Sequence, residues 1–150
     1  MKIRLIDIED QENIPSKYTC DGENLIPELG ISEIPENTKS LVLVMDDPDA
    51  KSVIGRTFDH WLIWNIPPET EKISNDSFPK KTIQGKNDFG KISYGGPCPP
   101  KGHGHHKYVF KIYALDTKLN LPEGSTKSEL EKAIKENILE KAETFGFYER

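Results

Sequence analysis

The segment Tyr-Gly-Gly-Pro-Cys-Pro-Pro-Lys-Gly-His-Gly-His-His-Lys-Tyr occupies residues 94–108 and runs into a largely apolar stretch over residues 108–115. Its fifteen residues include three Pro, four Gly and three His. Pro fixes φ and removes backbone donors, whereas Gly allows positive φ and close backbone approach. The segment therefore predicts a loop of defined shape that leads into a buried strand. Histidines held by such a loop at the start of a strand indicate a binding site.

Further strands are predicted at residues 2–8, 41–45 and 60–66, which are short, rich in β-branched or aromatic residues, and bounded by Pro, Asp or Gly. Near the C-terminus, Thr126 to Glu129 match a capping box. Apolar residues at 130, 133, 134, 138 and 142 then predict one amphipathic helix over 127–143, ending near Gly146. Strands followed by a helix predict a mostly β sandwich with a C-terminal helix, forming a single domain over residues 1–150.

Composition limits the classes of partner. The 150 residues suit one domain, and a net charge of −5 disfavours nucleic acid, whose binding depends on Lys and Arg contacts to phosphate. No apolar run approaches the roughly 18 residues that suggest a membrane-spanning helix, so no integral membrane association is expected. An acidic residue at position 7 makes the start unlike a secretory signal, which predicts a cytoplasmic protein.

Polar residues at the predicted strand ends form the candidate site. Asp47 and Asp49 follow one strand, and His60 opens the next. His106 and Tyr108 alternate in a third strand, so they face the same side. Aspartates beside Pro48 also serve as turn-forming residues, and we expect that role for one of the two. A carboxylate bonded to one imidazole nitrogen favours imidazolium, whose other N–H can meet an anion, so anion affinity should rise on acidification.

Three motifs in combination resemble a known family. They are Asp-Pro-Asp-Ala at residues 47–50, His-Trp at residues 60–61, and the Gly-Gly-Pro-Cys-Pro-Pro segment that continues to Tyr108. Residues 18–22, 40–50, 59–67, 85–90 and 94–116 resemble the phosphatidylethanolamine-binding proteins, also called Raf kinase inhibitor-like proteins, in their compact bacterial and archaeal branch. The resemblance implies the same mostly β fold, an antiparallel two-sheet β-sandwich with a C-terminal helix, and it implies a pocket at one end.

The resemblance also implies a ligand and the residues that bind it. The ligand would be phosphate, a phosphomonoester or a phospholipid head group such as phosphoethanolamine, and no cofactor is expected. The implied ligand-binding residues are Asp47, Asp49, His60, Gly96, Pro97, His106 and Tyr108. Gly95, Gly96, Pro99 and Pro100 would form the pocket wall, and the glycine N–H groups could cradle a phosphate.

The resemblance further suggests an inhibitor or modulator of a partner enzyme, a kinase or a serine protease. It also allows a homodimer, because compact relatives can pair. Cys20 and Cys98 both lie in the resembling segments, so they are expected to be near neighbours, bonded or not. Two cysteines in a cytosolic chain are more often reduced. Asp59 stands where some relatives carry a second histidine, and Asp46, which has no counterpart in the motif, is expected at the surface.

Two other functions stay open at this stage. A hydrolase-type enzyme could use the Asp, His and Tyr side chains, but no Ser or Thr is placed as a nucleophile beside the histidines. A metal site could use His103, His105 and an aspartate, although Gly102 and Gly104 leave the local geometry open. His105 falls at a variable position of the family pattern and is expected to be exposed. We therefore favour a non-catalytic binding protein without a metal.

Overall fold

The computed structural model describes residues 1–9 and 12–150, and strands dominate it. A three-stranded sheet contains β1 (Lys2–Leu5), β2 (Leu29–Ser32) and β5 (Lys72–Ile73), with β2 in the middle. A five-stranded sheet has the order β6 (Ile83–Gln84), β4 (Phe58–Ile66), β3 (Ser40–Asp47), β7 (His106–Leu115) and β8 (Ile138–Tyr148). All strand pairs in both sheets are antiparallel. The predicted two-sheet β fold is confirmed.

Helical structure is short. The helices of the described residues are α1 (Lys51–Ile54) and α2 (Lys127–Ile134), and single 3₁₀ turns form at Ser16–Tyr18 and Pro48–Ala50. Neither helix has the length and apolar character needed to cross a bilayer. The capping box predicted at the start of α2 is present, because the Thr126 side chain accepts from the Glu129 N–H and the Glu129 side chain accepts from the Thr126 N–H.

The central strand β3 is buried on both faces, which explains its continuous apolar sequence. Leu41, Leu43 and Met45 face the three-stranded sheet and belong to the core between the two sheets. Val42 and Val44 face the opposite side, where α2 and the chain before it cover the five-stranded sheet. Both tryptophans, Trp61 and Trp64, are fully buried, as expected of core residues. The five-stranded sheet, which contains β3, β4 and β7, is therefore packed on both faces.

The C-terminal helix predicted over 127–143 is wrong beyond Ile134. The chain turns after α2, and residues 138–148 form β8, which pairs with β7 from Leu115↔Ile138 to His106↔Tyr148. The spacing of the apolar residues favours a helix only weakly, and tertiary structure can override it. Here the segment pairs with the open edge of β7, which satisfies the backbone N–H and C=O groups of that strand. The charged residues Glu140, Lys141 and Glu143 suit a strand at the edge of a sheet.

Asp46 is buried, so its predicted surface position is also wrong. Its carboxylate accepts hydrogen bonds from the Lys111 ammonium at 2.9 Å and from the Lys127 ammonium at 2.7 Å. Lys127 also forms an ion pair with Asp59 at 3.1 Å. Since Lys127 opens α2, this cluster attaches the helix to the outer face of the five-stranded sheet.

Candidate functional site

A cavity of about 170 Å³ lies at the end of the five-stranded sheet where β3 ends and where β4 and β7 begin. The polar part of its lining comes from those three strands, and the apolar part comes mainly from α1 and the loop before β7. The lining residues are Asp47, Ala50, Val53, Ile54, Phe58, His60, Phe89, Cys98, Pro99, Pro100, His106 and Tyr108. Four of the seven residues predicted for the site, Asp47, His60, His106 and Tyr108, therefore lie together.

Asp47 joins the turn after β3 to the histidine of β7. One carboxylate oxygen accepts from the N–H groups of Asp49 and Ala50 at 2.9 and 3.2 Å, which caps the 3₁₀ turn. The other oxygen lies 2.7 Å from Nδ1 of His106, and both side chains are buried. Asp47 thus has the turn-forming role and the histidine-orienting role that were considered for the aspartates.

His60 is held by a backbone carbonyl and not by a carboxylate. Its Nδ1 lies 2.6 Å from the Gly95 carbonyl oxygen, so this nitrogen must carry the proton. Burial lowers the pKa of His60, although the Gly95 carbonyl and the Asp47 charge oppose the shift. Of the two histidines considered, the carboxylate therefore bonds His106, and at His60 burial outweighs the carboxylate charges.

Tyr108 packs beside both histidines in the cavity. Its ring centroid lies 5.2 Å from that of His60 and 6.4 Å from that of His106. His106 and Tyr108 lie on the same side of β7, as their alternation predicted. Burial raises the pKa of the Tyr108 phenol, so its hydroxyl remains a hydrogen-bond donor at neutral pH.

Three predicted residues, Asp49, Gly96 and Pro97, are not among the residues that line the cavity. Asp49 is exposed, and its carboxylate accepts from the Lys107 N–H at 2.7 Å, which ties the 3₁₀ turn to β7. Pro97 is buried, and its carbonyl accepts from the Cys20 N–H at 3.1 Å.

The proposed glycine cradle is absent from the described structure, because both N–H groups already have partners. The Gly95 N–H donates to the His60 carbonyl at 3.1 Å, and the Gly96 N–H donates to the Asn24 side chain at 2.9 Å. A Cβ on Gly96 would lie 2.3 Å from the Tyr18 carbonyl oxygen. Glycine is required there for close backbone packing and not for a ligand.

Apart from Pro99 and Pro100, the apolar lining was not predicted from the sequence. Val53 and Ile54 of α1 lie at the mouth with Phe89, and all three are more than 40% exposed. Phe58 and Phe89 pack on His60 with ring centroids 4.9 and 5.4 Å away. Phe58 precedes His60 by two residues and so shares its side of β4, but it lies outside the strand predicted at residues 60–66. Phe89 lies in the resembling segment 85–90, but no residue of that segment was assigned to the site.

The cysteines form a disulfide in one wall of the cavity. Cys20 and Cys98 have Cα atoms 5.5 Å apart and are bonded, so the expectation of near neighbours is confirmed and the expectation of reduced thiols is wrong. The bond links the segment after the first 3₁₀ turn to the loop that carries Pro99 and Pro100. Both of these prolines line the cavity, as predicted for the wall.

The loop histidines do not converge on one point. His105 is exposed, as expected, and its Nε2 lies 2.9 Å from a Glu149 carboxylate oxygen. His103 turns towards His106, with its Nδ1 2.8 Å from His106 Nε2. Asp59, at the position of a second histidine in some relatives, pairs with Lys127. Within residues 1–9 and 12–150, no group of three or more His, Cys, Asp or Glu side chains is arranged to hold a metal ion.

Comparison with known proteins agrees with the fold and the motifs. The family model described as phosphatidylethanolamine-binding protein matches residues 5–149. The chain belongs to the phosphatidylethanolamine-binding protein family. Similar members of the family are the UPF0098 proteins of Pyrococcus horikoshii and Methanothermobacter thermautotrophicus. The first is 50% identical over 94% of this chain and 73% of its own length, and the second is 41% identical over 100% and 99%.

Solved structures of bacterial members of this family have a similar fold. A homologue from Chlamydia trachomatis superposes with a TM-score of 0.91 at 36% identity, covering 99% of this chain and 97% of its own. E. coli YbcL superposes with a TM-score of 0.90 at 31% identity, covering 99% and 98%. A carboxypeptidase Y inhibitor, solved with its cognate proteinase, shares the fold with a TM-score of 0.56 at 22% identity, covering 93% and 76%. The resemblance noted in the sequence is confirmed.

Proposed function

We propose that the chain is a non-catalytic binding protein whose cavity takes a small anion, a phosphate or the phosphate of a head group, together with a proton. The observation that carries this proposal is the hydrogen bonding of the two buried histidines. In each ring Nδ1 faces an oxygen acceptor, the Gly95 carbonyl for His60 and the Asp47 carboxylate for His106. Each neutral ring therefore has its proton on Nδ1 and a lone pair on Nε2.

This protonation state determines how an anion can bind. An imidazole lone pair and an unprotonated oxygen of an anion are both acceptors, so a hydrogen bond between them needs a proton, either added to Nε2 or already carried by the phosphate. A proton added at Nε2 of His106 would give a ring whose Nδ1–H already faces the Asp47 carboxylate at 2.7 Å. Burial lowers the pKa of His60 and so opposes a charge there. The Tyr108 hydroxyl supplies a further donor.

Size and polarity define the ligand class. About 170 Å³ is below the roughly 300 Å³ of pockets that enclose drug-sized ligands, and it suits a phosphate or a phosphomonoester head. Val53, Ile54 and Phe89 at the mouth suit an apolar substituent that leaves the cavity. The family description, phosphatidylethanolamine-binding protein, supports a phosphoethanolamine head group for this chain.

Binding without catalysis is favoured by the kinds of side chain that line the cavity. Among the described residues, the lining contains no Ser, Thr or Lys, and the sulfur of Cys98 is held in the disulfide. Generic esters and phosphoesters test the hydrolase alternative. That alternative would be favoured if wild type hydrolyses them and His106→Ala does not.

A protein partner is a further part of the proposal. The carboxypeptidase Y inhibitor of the same fold was solved with a proteinase. We propose that this chain likewise modulates an enzyme, a serine protease or a kinase, through the face that surrounds the cavity. Inhibition assays on a panel of both enzyme classes test this, with phosphate added to ask whether an occupied cavity alters the effect. A cytoplasmic location and a homodimer remain predictions from the sequence.

Calorimetric titration tests the anion proposal. Phosphate and O-phosphoethanolamine are titrated at about pH 5.5 and about pH 8, on either side of an ordinary histidine pKa. Two buffers of different ionisation enthalpy at each pH report the protons taken up. Tighter binding at the lower pH with net proton uptake supports the proposal. Binding by His106→Ala equal to that of wild type at both pH values would refute the site assignment.

A further inference from the structure

His103 makes a contact that the proposed function does not use. It stands in the loop before β7, where its side chain is exposed, yet its ring touches the buried His106. The two ring centroids are 5.0 Å apart, and Nδ1 of His103 lies 2.8 Å from Nε2 of His106. An exposed side chain therefore covers one polar atom of a residue that lines the cavity.

The direction of this hydrogen bond follows from Asp47. Since Nδ1 of a neutral His106 donates to the Asp47 carboxylate, Nε2 of His106 can only accept. His103 must then donate its Nδ1–H. This Nε2 is also the atom that would carry the proton for a bound anion. The His103 imidazole and the anion therefore need the same position beside His106.

The loop around His103 allows its ring to leave. Gly102 and Gly104 flank it with φ values of 77° and 90°, a backbone conformation that favours glycine. A Cβ at either glycine would meet nothing within 4 Å, so these residues are not required for close packing. The Gly102 N–H donates to the Arg150 carbonyl at 2.9 Å and the His103 N–H donates to the Pro100 carbonyl at 3.2 Å, so the backbone is held independently of the contact that the exposed His103 ring makes with His106.

We infer that His103 sets the affinity of the cavity for anions, because its imidazole occupies the anion's hydrogen-bonding position at His106 in the free protein. The inference rests on the proposed function. An anion binds only after the ring of His103 has moved away, and part of its binding free energy is used to break the contact. His103 therefore weakens anion binding, although it stands among the histidines of the site.

Phosphate titration of His103→Ala against wild type tests the inference, with His105→Ala as the matched control. His105 lies two residues away and pairs with Glu149 outside the cavity. Removing a competing neutral hydrogen bond should strengthen phosphate binding about three- to tenfold, whereas His105→Ala should bind like wild type. Unchanged or weaker binding by His103→Ala would overturn the inference, and weaker binding would identify His103 as a ligand donor.

Two-bond proton–nitrogen NMR correlations of the histidine rings supply a second readout. In free wild type, Nε2 of His106 should show the shift of a hydrogen-bond acceptor, and that shift should change in His103→Ala. Saturating phosphate should remove the contact in wild type. If phosphate binds neither wild type nor His103→Ala, the proposed function and the inference are both wrong, whatever shifts the histidine rings show. If phosphate binds both equally with the contact intact, only the inference is overturned.

Discussion

The Asp47 carboxylate reaches Nδ1 of His106 across 2.7 Å, and it does so from the strand next to that of the histidine. The same carboxylate caps the turn that follows β3 through the N–H groups of Asp49 and Ala50. Asp47 therefore fixes the position of the imidazole and also its protonation, because an ionised carboxylate accepts only from a protonated nitrogen. The proton chemistry of the cavity depends on this one contact.

Asp47→Asn should reduce the pH dependence of anion binding. The asparagine oxygen can still cap the turn, which leaves its NH₂ group facing His106. Nδ1 of His106 must then accept, so the ring carries its proton on Nε2 and meets an anion without proton uptake. We expect tighter phosphate binding than wild type at about pH 8 and fewer protons taken up.

Calorimetry in two buffers measures both quantities for Asp47→Asn. Asp49→Asn is the control, since Asp49 is exposed and bonds the Lys107 backbone outside the cavity. The tautomer argument fails if Asp47→Asn takes up as many protons as wild type.

His60 should make the fold less stable in acid. Its folded pKa is lowered, with burial as the largest cause, so the unfolded chain binds the proton first as the pH falls. The free energy of unfolding should therefore decrease from about pH 6.5 down to the folded pKa, with a slope of at most about 1.4 kcal/mol per pH unit from this residue. Above pH 6.5 the residue should contribute no slope.

Urea unfolding across this pH range checks the contribution of His60. His60→Asn keeps a donor for the Gly95 carbonyl and removes the titration, so its stability should vary less with pH. His105→Ala, at an exposed position, should keep the wild-type slope. A His60→Asn profile parallel to that of wild type would show that other groups cause the acid sensitivity.

Asp46→Ala should destabilise the protein strongly. Burial opposes the ammonium of Lys127, but the Asp46 and Asp59 carboxylates outweigh that effect and raise its pKa. Removing the buried carboxylate leaves Lys111 and Lys127 without their shared partner. Breaking a buried ion pair from one side costs 3–5 kcal/mol, and because both lysines keep some solvent contact we expect about 3 kcal/mol.

Chemical unfolding measures the loss at Asp46. Lys2→Ala is the control, since Lys2 and Glu33 form an exposed pair that should contribute no more than about 1 kcal/mol. Equal effects of the two substitutions would show that the Asp46 cluster does not stabilise α2.

Reduction of the Cys20–Cys98 disulfide should lower stability without unfolding the sheets. The bond closes a loop with a sequence separation of 78, and disulfides of this kind typically contribute about 2–4 kcal/mol. Thermal unfolding with and without reductant measures the difference, and Cys20→Ser with Cys98→Ser gives the same comparison without reductant. Thiol counting under denaturing conditions comes first, because two free thiols from an oxidising preparation would contradict the bond.

The strands that build the frame could be predicted because their patterns are local. The segments at 40–45, 60–66 and 108–115 are apolar, β-branched or aromatic, and bounded by Pro, Asp or Gly, and each lies inside an observed strand. His106 and Tyr108 were expected on one side because side chains alternate along a strand, and both line the cavity. A contact between an aspartate and a site histidine was expected, but the sequence did not show that the histidine would be His106.

Long-range pairing decided what these patterns could not. Residues 138–148 have helical spacing of apolar side chains, but the open edge of β7 pairs with them as β8. Asp46 looks like a surface residue until Lys111 and Lys127, 65 and 81 positions away, surround its carboxylate. The glycine N–H groups looked free for a phosphate until Asn24 and His60 became their partners. Hydrogen bonds and ion pairs depend on distances in space, and a single sequence specifies such distances only within one element of secondary structure.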